Sequence, residues 1–94
     1  MTSRRLDEEE IAAALEGLGW TRQGDAIAKV VTLEDFSSAL AWVNRVGALA
    51  EERDHHPDIT ISWNKVTLRL TTHSSGGLTA LDFDLANAVD EIAP

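Results

Sequence analysis

Cysteine is absent from the 94 residues, which excludes disulfides, thiolate nucleophiles and cysteine-based zinc sites. Long apolar runs are absent as well. No purely apolar stretch exceeds five residues, as at 11–15, far short of the roughly 20 that span a bilayer. Basic residues are scarce: eight Lys and Arg face sixteen Asp and Glu, for a formal charge of −8. That balance argues against nucleic-acid binding, which needs a basic footprint, and against an anionic membrane surface. The opening MTSRRLDEEE has no apolar h-region, so no secretory signal is expected and the cytoplasm is the expected setting. No repeat or linker divides the chain, and Ser74-Ser75-Gly76-Gly77 reads as one loop. A single domain over residues 1–94 is expected.

What is present suffices for one modest core. Hydrophobic residues make up 44%, which argues against disorder. A chain of this size hides about 60–65% of its unfolded surface on folding. Oligomerisation would enlarge that buried core without lengthening the chain.

Three segments open like helices. Asp7 with Glu10 three residues later forms a capping box, and Leu6 and Ile11 straddle it as a hydrophobic staple. Ile11, Leu15 and Leu18 mark one face, and Gly17 or Gly19 can end the helix. The second start reads as Thr32 with Asp35, followed by Phe36, Leu40, Val43, Val46 and Ala50 at helical spacing to about residue 52. The third reads as Thr79 with Asp82, followed by Leu81, Leu85, Ala88, Val89 and Ile92. Arg4, Arg5 and the acids of the first helix read as solvated surface.

Strands fill the gaps. Residues 20–22 and 26–31 flank a Gln23-Gly24-Asp25 turn. In residues 59–63, Ile59, Ile61 and Trp63 alternate with Thr60 and Ser62. After a turn at Asn64-Lys65, Val66, Leu68 and Leu70 alternate with Thr67, Arg69 and Thr71. The order α-β-β-α-β-β-α predicts an α+β fold, a four-stranded antiparallel sheet with its helices on one face and a polar opposite face.

The chemistry sits on three histidines. His55 and His56 follow the long second helix, and Pro57 biases His56 to an extended backbone. Two extended neighbours point their rings to opposite sides. His73 ends the last strand and shares parity with Arg69 and Thr71. One imidazole from the helix end and one from the strand end can therefore converge at the sheet rim. Imidazole titrates near neutrality and moves protons in either direction. His55, His73 and Glu51 or Asp82 could also form a zinc triad. However, HHP lacks the His-x-x-x-His helical spacing, so no metal is expected. The phosphoesterase-like DHH of residues 54–56 lacks the further ligands such enzymes need. Each histidine also has a plain structural use, since a helix C-terminus favours imidazolium. Asp82 is explained by its capping box alone. Trp20 and Trp63 read as core residues before ligand platforms.

The spaced set Glu51, His55-His56-Pro57, Trp63, His73 and Asp82 resembles the pterin-4a-carbinolamine dehydratases over residues 51–86. Asn64-Lys65-Val66, Thr72-His73 and Gly19-Trp20 are similar to the family too, so the resemblance spans essentially the whole chain. It departs at Ile59, where many members carry an aromatic. The resemblance implies conversion of a 4a-hydroxytetrahydropterin to a quinonoid dihydropterin and water, in tetrahydropterin recycling after aromatic amino acid hydroxylation. It implies no metal or redox cofactor, and a functional link to an aromatic amino acid hydroxylase. His55 and His73 are the expected acid and base, His56 holds the pterin and accepts a proton, Glu51 orients His55, and Asp82 supports His73. Pro57, Thr72, Ser74, Ser75 and Trp20 are further candidates for the pterin pocket. The resemblance leaves a second reading, a non-catalytic dimerisation module serving a protein partner through the exposed residues of the second helix. An open edge strand suggests a homodimer or homotetramer.

Overall fold

The structure is a computed structural model that describes residues 3–92. Its elements are α1 (Glu8–Leu15), β1 (Thr21–Gln23), β2 (Ala26–Thr32), α2 (Phe36–Arg53), β3 (Asp58–Ser62), β4 (Lys65–Leu70), a 3₁₀ turn (His73–Ser75) and α3 (Ala80–Glu91). All neighbouring strands pair antiparallel, in the order β1-β2-β4-β3. Two sequence hairpins thus interlock, with β2 and β4 at the centre. The expected α+β architecture is present.

Strand parity decides which face meets the helices. The register sets Ile27 opposite Leu70, Val31 opposite Val66, and Ile59 opposite Leu68. All but Ile59, which stays 37% exposed on the edge strand, join Trp42, Val46, Ala50, Phe83, Leu85 and Val89 of α2 and α3 in one core, which Ile11 of α1 completes. Thr60, Thr67, Arg69 and Thr71 lie on the other, open face by the same alternation.

The caps of α1 and α3 form as expected. Asp7 accepts from the Glu10 N–H and Thr79 from Leu81, while Glu10 and Asp82 return a bond to the cap backbone. The start of α2 differs. Thr32 is still in β2, paired with Lys65, and Asp35 is the cap, accepting from the Ser38 N–H at 2.8 Å. Sheet pairing outcompetes a helix start three residues too early. The buried stripe of α2 shifts with it, to Ala39, Trp42, Val46 and Ala50, and leaves Phe36 and Leu40 exposed.

Trp63 is the second departure. The β3–β4 turn is Trp63-Asn64, since Ser62 pairs with Lys65. Trp63 takes a left-handed φ of 53° there and is 69% exposed. The turn breaks the alternation that had placed it with Ile59 and Ile61.

Candidate active site

The site begins where α2 ends. Asp54 adopts the left-handed conformation, and its N–H and that of His55 close back on the Glu51 and Ala50 carbonyls at 3.2 and 3.1 Å. This is a Schellman-type stop, with aspartate in the place glycine usually takes. Arg53 ties the same end to α3 through Asp84 at 2.9 Å. The reversal turns His55 inward, where it is only 9% exposed. His56, extended ahead of Pro57, points out to solvent. The opposite placement of the two rings is as the sequence predicts.

His55 Nε2 lies 2.6 Å from Asp82 Oδ1. Asp82 is fully buried at the first turn of α3. Its Oδ2 accepts from the Thr72 hydroxyl at 2.8 Å and from the Thr79 N–H at 2.9 Å. The Thr72 and Thr79 hydroxyls are 2.9 Å apart. Thr72 spends its proton on Asp82, so Thr79 donates to Thr72 while accepting from the Leu81 N–H. His55 Nε2, the Thr72 hydroxyl and the Thr79 N–H thus occupy both oxygens of one carboxylate. Among the described residues no buried side-chain polar atom lacks a partner.

The two remaining imidazoles are exposed. His56 Nε2 pairs with Glu51 Oε2. His73 opens the 3₁₀ turn beyond β4, which Gly76 closes at φ 74°, a conformation that favours glycine. Thr72 and Gly77 bridge the base of this loop. His73 lines a hollow of about 270 Å3 with Asp25, Arg69, Thr71, Gly76 and Gly77. The register pairs Asp58 with Arg69. His56 stands two residues before β3 and His73 three residues after β4, so both lie beyond the same end of this antiparallel pair, exposed, while His55 is buried.

The sequence profile of the family described as pterin 4 alpha carbinolamine dehydratase matches residues 4–92. A Nocardia farcinica protein provisionally named a pterin-4-alpha-carbinolamine dehydratase is 52% identical over 99% of each chain. A Roseiflexus protein of the same provisional name is 57% identical, over 94% of this chain and 96% of its own. A crystal structure named as a transcriptional coactivator/pterin dehydratase from Brucella melitensis superposes with a TM-score of 0.91 at 36% identity, covering 97% of this chain and all of that one. The chain belongs to the pterin-4a-carbinolamine dehydratase family.

Within this dehydratase-family chain, each of the two acids expected at the site holds a different histidine from the one expected. Glu51 reaches His56, not His55, because the helix stops at Arg53 and His55 no longer follows the i,i+4 face. Asp82 holds His55, not His73. Among the described residues no hydrogen bond joins one histidine ring to another. The Thr72 hydroxyl is spent on Asp82, and that of Ser75 on the Ser3 carbonyl at 2.5 Å. Ser74 stays exposed and Pro57 half-buried. Trp20 is not brought to the histidines. It is buried, and its indole N–H donates to Asp90 at 3.0 Å, near the other end of α3 from Asp82. Those two aspartates are separated by roughly 12 Å of helix rise.

Sequence reasoning missed two members. Thr79 reads as a cap, yet its hydroxyl also completes the buried network. Arg5 reads as surface, yet its stem lies across Gly77. A methyl group on that glycine would sit 3.1 Å from Arg5 Cδ. No local pattern marks a contact across more than 70 residues.

Proposed function

We propose that this chain dehydrates a 4a-hydroxytetrahydropterin to the quinonoid dihydropterin, with His56 and His73 carrying the protons. The C4a–O bond breaks and the N5–H proton leaves. Hydroxide is a poor leaving group, so one group must protonate it as it departs, and another must accept the N5 proton. One proton goes out with water and one is taken up, so the enzyme's proton count is restored without redox chemistry. Two solvent-facing imidazoles beyond the same end of the β3–β4 pair are suited to this exchange.

The observation that carries the reading is the buried His55–Asp82–Thr72 linkage. His55 directly precedes His56, and Thr72 directly precedes His73. One carboxylate thus clamps the two backbone positions next to the exposed rings. Held geometry is what acid–base catalysis requires. In this reading His55, Asp82 and Thr72 are positioning residues, and Glu51 orients His56. Ser74 and the loop backbone supply hydrogen bonds to the pterin edge, and recycling of an aromatic hydroxylase's pterin in the cytoplasm is the setting.

Stopped-flow dehydration of enzymatically generated 4a-hydroxypterin tests the proposal. After subtracting the uncatalysed reaction, His73→Ala and His56→Ala should each lose about 10²–10⁴ in rate while remaining folded. Wild-type rates in both would defeat the assignment. A wild-type chain no faster than background would defeat the function.

A second reading, a binding module that assembles with a protein partner or with itself, is favoured by one feature. Phe36 and Leu40, one helical turn apart, expose 49% and 41% of their surface on α2. A homodimer or homotetramer would cover them, or pair the free edge of β3. Sedimentation as a monomer at micromolar concentration would count against self-assembly.

A further inference from the structure

The His73 loop is held from a direction the reaction does not require. Residues 3–6 run over it before α1 begins. The Leu6 N–H donates to the Leu78 carbonyl at 2.8 Å, on the far side of the loop. The Ser75 hydroxyl donates to the Ser3 carbonyl at 2.5 Å. Between these ties Arg5 lies along Gly76 and Gly77, with a long hydrogen bond of 3.4 Å to the Gly76 carbonyl. Arg4 pairs with Glu10 at 2.6 Å, which fixes the segment to the first turn of α1.

The fit is tightest at Gly77. A methyl group there would approach Arg5 Cδ to 3.1 Å and Cγ to 3.4 Å. The arginine stem fills the space a side chain at Gly77 would need, while its guanidinium stays at the exposed rim. We infer that residues 3–6 form a strap that sets the position of the His73 loop, with the aliphatic stem of Arg5 gripping Gly77. Arg5 is then a positioning residue for His73. That His73 carries a proton rests on the dehydratase reading, whereas the strap itself does not.

Four loop interactions report on the strap directly. Ser75 and Gly77 donate to the Thr72 carbonyl, Gly76 to that of His73, and Thr72 to that of Gly77. Hydrogen exchange of these amides in the full-length chain is the test, with exchange at Ile27 and Leu68 as a check on global stability. Arg5→Ala should speed loop exchange about tenfold and leave the sheet unchanged. Arg5→Met keeps the stem and should exchange like wild type. Gly77→Ala should match Arg5→Ala, because the new methyl displaces the stem. The double variant should be no faster than either single one. In the dehydratase assay, Arg5→Ala should lower kcat about 10-fold or more with KM within about twofold, and Arg5→Met should restore it. Wild-type loop exchange in Arg5→Ala, or additive effects in the double variant, would overturn the strap. If the wild-type chain shows no turnover, the dehydratase reading falls, and loop exchange alone decides the strap.

Discussion

Helices α1 and α3 open with the same four-position device, and the two starts have different fates. At α1, Asp7 and Glu10 exchange bonds at an exposed site, and Arg4 donates to both Glu10 oxygens, the cap oxygen and the spare one. At α3, Thr79 and Asp82 make the same exchange with no exposure at all. There the spare carboxylate oxygen cannot turn to solvent, so it holds His55. The motif is local, but what surrounds its unused oxygen decides whether it merely starts a helix or also anchors a site. Burial turns a cap into a junction between α2, β4 and α3.

The comparison breaks first, and hardest, at Asp82. Asp82→Ala removes a buried acceptor from His55, the Thr72 hydroxyl and the Thr79 N–H at once, leaving Thr72 only its bond to Thr79. It should cost about 3–5 kcal/mol in denaturant unfolding. Glu10→Ala, the same edit at the exposed start, should barely move the midpoint. Equal losses would show that burial does not separate the two caps.

A finer cut is Thr72→Val, which keeps the shape and deletes the hydroxyl. Asp82 would retain two of its three donors, and the Thr79 hydroxyl would lose its acceptor. About 1–3 kcal/mol is expected, measured by the same unfolding. If Thr72 acts only through position, the variant should lower kcat while the pH profile keeps its shape. A displaced profile would instead make Thr72 part of the proton path.

Much of this comparison was legible before any coordinates. Both capping boxes, both hairpins and the helix-facing strand positions follow from period and cap chemistry over a few residues. The proline after His56 pointed to two rings on opposite sides, but not to His55 as the buried one. The pairing of acids with histidines was not legible. It turns on Asp54, a non-glycine residue taking the left-handed conformation that ends α2, and on a contact 27 residues away in Asp82. Trp63 and Thr32 fail for a related reason. Alternation and spacing extrapolate along a regular element, and each residue sits where one element stops and a long-range pairing takes over. Arg5 marks the limit, since only the folded chain brings it to Gly77.

The smallest effect belongs to the exposed cap, and it is read by pH. The hydrogen bond from Arg4, with that from the Asp7 N–H behind it, lowers the Glu10 carboxyl from 4.5 to about 2. A carboxyl depressed in the folded state stabilises it above its unfolded value and loses that contribution as pH falls through the folded one. The support that Glu10 gives α1 is therefore complete above pH 4.5 and erodes down to about 2. Asp35 shifts in the same direction through the Ser38 N–H it caps, so it adds to the same acid limb. Glu10→Gln keeps a cap acceptor but cannot titrate. It should flatten the fall in helical circular dichroism between those pH values, and added salt should do the same to wild type by screening the Arg4 pair. An unaltered acid limb in Glu10→Gln would mean that the exposed cap contributes nothing that protonation can remove.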